Sequence, residues 1–192
     1  MMDEQENIRL IDDYLHQSQI NEFISLPQIA VMGDTSSGKS SLLSAISNIQ
    51  FPSSDQITTR CPTKLHLSKS RDGTSSFEVD IVWHHSSKYR GMFEAKAYEG
   101  KGNFHLIPNL ISEAQNCILK ASSRQVARDI ITVRICDPDA YDLTLIDLPG
   151  FVRSIGKGED ASIVEDIRAL CDEYLENKRC IVIAIIPANV DF

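Results

Sequence analysis

Positive charge is scarce in this chain of 192 residues: 19 Lys and Arg stand against 27 Asp and Glu, a net charge of −8. A broad nucleic-acid or anionic-lipid surface needs clustered basic residues, so the deficit argues against both, although a locally basic pocket for a small anion stays open. No apolar run approaches the length of a membrane span. The longest, Ile181–Ile186, falls far short of the twenty or so residues required, which leaves only a peripheral membrane role open. Also missing is a cysteine framework. Cys61, Cys117, Cys136, Cys171 and Cys180 are odd in number and contain no C-x-x-C pair, which points to reduced, mostly buried thiols in a cytosolic setting. The N-terminus, MMDEQEN, is acidic where a targeting peptide would be basic. No repeat or low-complexity block interrupts the chain. Its length suits one α/β domain with a core and is short for two.

What is present centres on Gly33–Ser40, GDTSSGKS, an ungapped G-x-x-x-x-G-K-[ST] phosphate loop. Gln28–Met32 before it is a short apolar run suited to a buried parallel strand, and Lys39–Ile49 after it has helical periodicity. Gly33 and Gly38 let the backbone turn tightly, so that consecutive N–H groups from Asp34, Thr35, Ser36 and Ser37 through to Ser41 point at an anion on a helix N-terminus. Lys39 then reaches the β- and γ-phosphates, and Ser40 offers its hydroxyl to Mg²⁺. The bare pattern arises by chance in roughly one chain in a hundred of this length, and the flanking strand and helix make it more specific.

Elsewhere the pattern is uneven. Ile8–His16 carries Ile8, Ile11 and Leu15 at helical spacing, either an amphipathic helix or a solvated tail. Phe51–Pro62 is a polar, proline-bounded stretch expected to form an exposed loop. Lys64–Ser68 and Phe77–His84, separated by a segment containing Asp72-Gly73, predict an antiparallel hairpin. Ser86–Asn103 has no clear period and is expected to be irregular. Leu106–Leu119 predicts a helix with one apolar stripe, Ile130–Cys136 a strand and Ile163–Leu175 another helix. Cys180–Ile186 is apolar on both faces, like a strand inside a sheet. His84 and His85 are adjacent and on a strand would face opposite ways, so a metal site there is not expected. Arg124 and Arg128 are expected as solvated loop charges and Trp83 as a packing residue.

The second informative motif is Leu143–Ile146 running into Asp147-Leu148-Pro149-Gly150. A strand ending in Asp, with Gly three residues on, suits a sensor of Mg²⁺ and γ-phosphate. Gly150–Gly158 has glycines at either end, as a mobile segment would. Small GTPases place a water-orienting Gln directly after such a motif, whereas this chain has Phe151, which cannot hydrogen-bond water through its side chain.

Taken in order, Ser25–Val31, GDTSSGKSS, Thr59-Arg60-Cys61-Pro62, Asp142–Gly150 and Pro187-Ala188-Asn189 make the chain resemble the dynamin superfamily of large GTPases, nearest to its myxovirus-resistance-like and fungal dynamin-like branch. The resemblance implies an α/β, three-layer P-loop NTPase fold with a mostly parallel sheet, incomplete at its C-terminal end. Residues 1–26 would be the first helix of a bundle signalling element and 27–192 a truncated G domain. It implies GTP or GDP with Mg²⁺, and K⁺ or Na⁺ as a charge-compensating cation held with the help of Ser36. Thr59 would close on Mg²⁺ and help hold the attacking water, Asp147 would support the metal through water, and Gly150 would sense the γ-phosphate. It further implies G domains pairing face to face, a cytoplasmic or organelle-peripheral location with membrane remodelling or microtubule association, and no nucleic acid. Thr35 departs from the Gln many dynamins carry there. The guanine-reading T-K-x-D element lies beyond Phe192 in the family, so a strand at 181–186 is expected to become an apolar edge and the chain alone to be marginally stable, aggregation-prone or bound to a partner. Two other readings stand beside GTP hydrolysis: a module that binds nucleotide or a partner without useful turnover, and an ATP-using phosphate-loop enzyme.

Overall fold

The computed structural model of the chain describes residues 28–47, 49, 59–84, 92–122, 126–151 and 162–187. The expected N-terminal helix, the first part of the loop after residue 50, His85, Arg124, most of Gly150–Gly158 and Ala188-Asn189 lie outside them.

Seven strands are formed: β1 (Gln28–Gly33), β2 (Thr63–Lys69), β3 (Ser76–Val82), β4 (Lys96–Glu99), β5 (Ile130–Asp137), β6 (Leu143–Asp147) and β7 (Cys180–Ile185). Three α-helices accompany them among the described residues: α1 (Lys39–Ser47), α2 (Ile107–Ser122) and α3 (Ser162–Glu176). The strands make one sheet in the order β4-β3-β5-β2-β6-β1-β7. Pairing is parallel for β1–β6, β1–β7 and β2–β5, and antiparallel for β2–β6, β3–β5 and β3–β4. The α/β class is as the sequence predicts, with a sheet that is mixed.

Strand alternation sorts the core into two layers. Val31 and Leu145 project to one side and pack in a cluster with Leu43 of α1 and with Ile107, Leu110, Ile111, Ala114 and Ile118 of α2. Ala30, Met32 and Ile146, one residue out of phase, pack on the other side with Ile163, Ile167, Leu170 and Cys171 of α3. The stripe on α2 recurs every three or four residues, the spacing that keeps one helix face on the sheet. Burying each of its Leu and Ile side chains is worth roughly 1.5–3 kcal/mol. Trp83 packs against the first cluster, as expected.

Three expectations are corrected. β2 and β3 are not a hairpin, because β5 lies between them. The connection Ser70–Ser75 crosses the end of β5, a span of about 10 Å for two inter-strand spacings, and is fastened there to Asp137. Ser70 N–H donates to the Asp137 carbonyl at 3.1 Å, and Ser75 Oγ donates to Asp137 Oδ2 at 2.9 Å. The local turn chemistry still forms: Asp72 Oδ1 accepts from Thr74 N–H (3.0 Å), Thr74 Oγ1 (2.6 Å) and Ser70 Oγ (2.7 Å). It bends a crossing loop instead of closing a two-strand turn. The stretch expected to be irregular contains β4 and a 3₁₀ turn, Lys101–Leu106. What holds them is tertiary: Phe77 of β3 stacks on Tyr98 at 5.2 Å and meets Phe104 edge-on at 5.8 Å. Finally, the end of the loop expected to be exposed is pinned, with Cys61 and Pro62 buried.

β7 ends the sheet among the described residues, and Ile181 is 62% exposed on it. A strand with interior colouring therefore stands at an edge.

Candidate functional site

β1 and β6 run side by side in parallel with Val31 opposite Asp147, so the phosphate loop and the D-x-x-G segment leave the same edge of the sheet together. Gly33 opens the loop where no side chain fits: a Cβ there would lie 2.5 Å from the Ile185 carbonyl oxygen and 2.8 Å from Ser37 Oγ. Ser37 N–H donates to the Asp34 carbonyl at 3.1 Å, and Leu42 N–H to that of Gly38 at 2.9 Å, which starts α1 at the loop's end. The helix N-terminus thus faces the loop, with the partial positive charge that favours an anion.

Lys39 is buried, and its Nζ donates to the carbonyls of Gly33 (3.0 Å) and Asp34 (2.8 Å). Burial lowers its pKa, against the opposing pull of Asp147, Asp34 and Cys171. Asp147 is buried too, and desolvation pushes its carboxyl up to about 6, despite Lys39 and a hydrogen bond from Thr59. Thr59 Oγ1 donates to Asp147 Oδ2 at 3.2 Å. Asp147 Oδ1 and Ser37 Oγ are buried with no hydrogen-bond partner.

The segment after Asp147 is zipped to the loop. Asp34 and Phe151 form a parallel bridge, in which Phe151 N–H donates to the Gly33 carbonyl (3.1 Å) and Thr35 N–H to the Phe151 carbonyl (3.0 Å). The Thr35 hydroxyl donates to the same carbonyl at 3.2 Å. Gly150 lies inside this seam, where a Cβ would stand 2.9 Å from both Lys39 Nζ and Thr35 N. Only glycine brings the two segments so close.

The structure therefore gathers Gly33, Asp34, Thr35, Ser37, Lys39, Thr59, Asp147 and Gly150 at one sheet edge. Ser40 is half-buried in the first turn of α1, beside an exposed Ser41. Gly38 leads into that turn with φ 95°, and Ser36 is exposed and held at φ 62°, a left-handed conformation unusual for serine. Among the described residues no cluster of three His, Cys, Asp or Glu could hold a metal ion. Mg²⁺ does not require one, since it keeps several waters and takes one or two protein groups plus substrate phosphates. The orphaned Asp147 oxygen and the Ser40 hydroxyl are of the oxygen-donor type that such an ion takes.

The sequence model of the dynamin family matches residues 29–192. This chain belongs to the dynamin family. Within that family it is similar to interferon-induced GTP-binding proteins Mx of fishes. It is 35% identical to that of Epinephelus coioides and 36% to that of Dicentrarchus labrax, over 96% of this chain and 27% and 26% of those proteins. The Mx protein of Perca fluviatilis is 33% identical over 96% of this chain and 56% of its own length. The chain thus spans about a quarter of the length of the first two relatives and about half of the third.

Two participants escaped the sequence patterns of this dynamin-family domain. Phe151 offers no polar side chain, yet its backbone holds Thr35. Gln115 on α2 accepts a hydrogen bond from Arg60 N–H at 3.2 Å, beside Thr59, across 55 positions of chain. No local periodicity signals a contact of that separation. Arg128, expected in solvent, is exposed but ion-paired with Glu173 of α3 at 2.6 Å.

Proposed function

We propose that this dynamin-family domain binds GTP and hydrolyses it in a Mg²⁺-dependent reaction. The observation that carries the reading is Asp147, a buried carboxylate with one oxygen unpartnered and the other holding Thr59, set beside a phosphate loop whose lysine is also buried. A charged pair left incompletely satisfied at such a cost is expected where a ligand completes it.

In this reading the amides of residues 34–41 receive the phosphates. Lys39 exchanges the carbonyls of Gly33 and Asp34 for β- and γ-phosphate oxygens, a charge-assisted contact stronger than those it leaves. Ser40 and Asp147 would hold Mg²⁺, which when bound offsets negative charge on the phosphates. Thr59 positions the attacking water, and the Gly150 amide meets the γ-phosphate. We further assign the exposed Ser36 to a K⁺ or Na⁺ site, and closure of the pocket to a second copy of the domain. The guanine preference rests on the similarity to GTP-binding relatives.

A second reading, nucleotide binding without useful turnover, draws support from the seam, where the Thr35 hydroxyl is engaged on the Phe151 carbonyl. Titration with GTP, ATP and GDP with and without Mg²⁺, followed by phosphate release in K⁺ and in a large-cation buffer, tests both. Mg²⁺-dependent GTP preference with K⁺-stimulated release supports hydrolysis. Binding without release leaves the second reading, and a preference for ATP rejects GTP as the substrate in favour of an ATP-using phosphate-loop enzyme.

A further inference from the structure

Thr59 Oγ1 lies 3.2 Å from Asp147 Oδ2, and the chain that follows Thr59 is what places it there. The residues after it are clamped from two sides. Gln115 Oε1 accepts the Arg60 N–H at 3.2 Å, and the Arg60 carbonyl accepts Ala127 N–H at 3.0 Å. Beyond them Cys61 is fully buried in the core, and Ile131 N–H donates to the Pro62 carbonyl at 3.0 Å. Three of these anchors need no polar side chain: two backbone bonds, one to Ala127 before β5 and one to Ile131 within it, and the apolar plug of Cys61. The fourth is a side chain. It comes from α2, a helix held on the sheet by Ile111, Ala114 and Ile118.

We propose that Gln115 is a positioning residue for Thr59: by holding the Arg60 amide it fixes the backbone so that the Thr59 hydroxyl is presented to the metal and γ-phosphate side of the site. In this role Gln115 acts through the peptide that follows Thr59. Its side chain brings the carbonyl acceptor that the amide needs, and the half-buried setting limits competition from water. The inference rests on the reading of Thr59 as a triphosphate-sensing residue, because a contact with the γ-phosphate and its metal exists only in the GTP-like state.

The consequence is a split between nucleotides. Gln115→Met keeps the length of the side chain and removes the acceptor, whereas Gln115→Glu keeps an acceptor. The 192-residue chain and its variants are titrated with GTPγS and GDP in Mg²⁺, and thermal melting is recorded alongside. Gln115→Met is expected to lower the GTPγS-to-GDP affinity ratio roughly fivefold, the factor one neutral hydrogen bond is worth, with GDP affinity within about twofold. Gln115→Glu restores the ratio. In a Thr59→Val background Gln115→Met changes it by less than about twofold, since two residues on one pathway are non-additive. A general packing defect would instead lower both affinities and add to Thr59→Val. An unchanged ratio in Gln115→Met, a failure of Gln115→Glu to restore it, or additivity with Thr59→Val overturns the proposal. A wild-type chain that binds GTPγS but releases no phosphate from GTP rejects the hydrolysis reading and leaves this test standing. One that binds neither nucleotide overturns both.

Discussion

Lys39 donates to the carbonyls of Gly33 and Asp34, so a triphosphate has to compete with two backbone acceptors for the same ammonium group. On the proposed reading phosphate wins because it is charged, and the difference sets the value of the residue. Lys39→Ala is expected to weaken GTP binding by about 1.5–3 kcal/mol, roughly 10- to 150-fold. A fluorescent-nucleotide titration reads this directly, and an unchanged affinity in a folded variant would reject the whole site. Asp147 carries the opposite balance. Its carboxylate is buried with Oδ1 unpartnered, an arrangement that costs stability. Asp147→Asn should therefore raise the nucleotide-free stability at neutral pH by about 1–3 kcal/mol while abolishing the gain that Mg²⁺ brings to nucleotide binding. Melting curves and titrations with and without EDTA check the two halves. Lys39 and Asp147 were both legible from their motifs, because G-x-x-x-x-G-K-[ST] and D-x-x-G encode a chemistry in short spacing. Gln115 was not, because its hydrogen bond to the Arg60 amide spans 55 positions of chain.

Between β2 and β3 the chain must pass over β5, and Asp137 is the post it turns on. Burial raises this carboxyl's pKa, but the Asp139 amide, the Ser75 hydroxyl and Lys101 outweigh burial and leave it below the ordinary 3.8. A depressed carboxylate pKa in the folded state contributes stability that is present above 3.8 and is lost as pH falls through the lower folded value. Asp137→Asn should cost on the order of 1–3 kcal/mol at pH 7 and progressively less on acidification below 3.8. Denaturant melts at several pH values measure it, and a cost that stays constant with pH would contradict the assignment. The Asp72-Gly73 signal was correctly a turn and misleading as a hairpin, since turn residues specify a local bend and not which strand lies alongside. Strand β4 was invisible for a related reason: four residues, KAYE, take their extended form from Phe77 and from pairing with β3.

Across the whole molecule, the two sides of the sheet are covered unequally at β7. Ile181 and Ile183 are 62% and 39% exposed on a strand whose outer edge has no partner among the described residues. Exposed apolar strand edges promote association between chains. Ile181→Lys combined with Ile183→Lys is expected to shift the purified chain toward monomer in light scattering, with a change in stability of no more than about 0.5 kcal/mol per site. Unaltered association would place the sticky surface elsewhere. The amino-acid sequence by itself determined the elements that short-range chemistry can write: the phosphate loop between β1 and α1, the Asp-ended β6, the apolar stripes of α2 and α3, and membership of the dynamin family. The tertiary structure alone decided that β5 separates β2 from β3, that Phe151 is zipped to Thr35, and that Gln115 of α2 holds the Arg60 amide. Hydrophobic period and turn propensity act over a few residues, whereas strand order and such hydrogen bonds are chosen by which distant surfaces bury each other best once the chain has closed on itself.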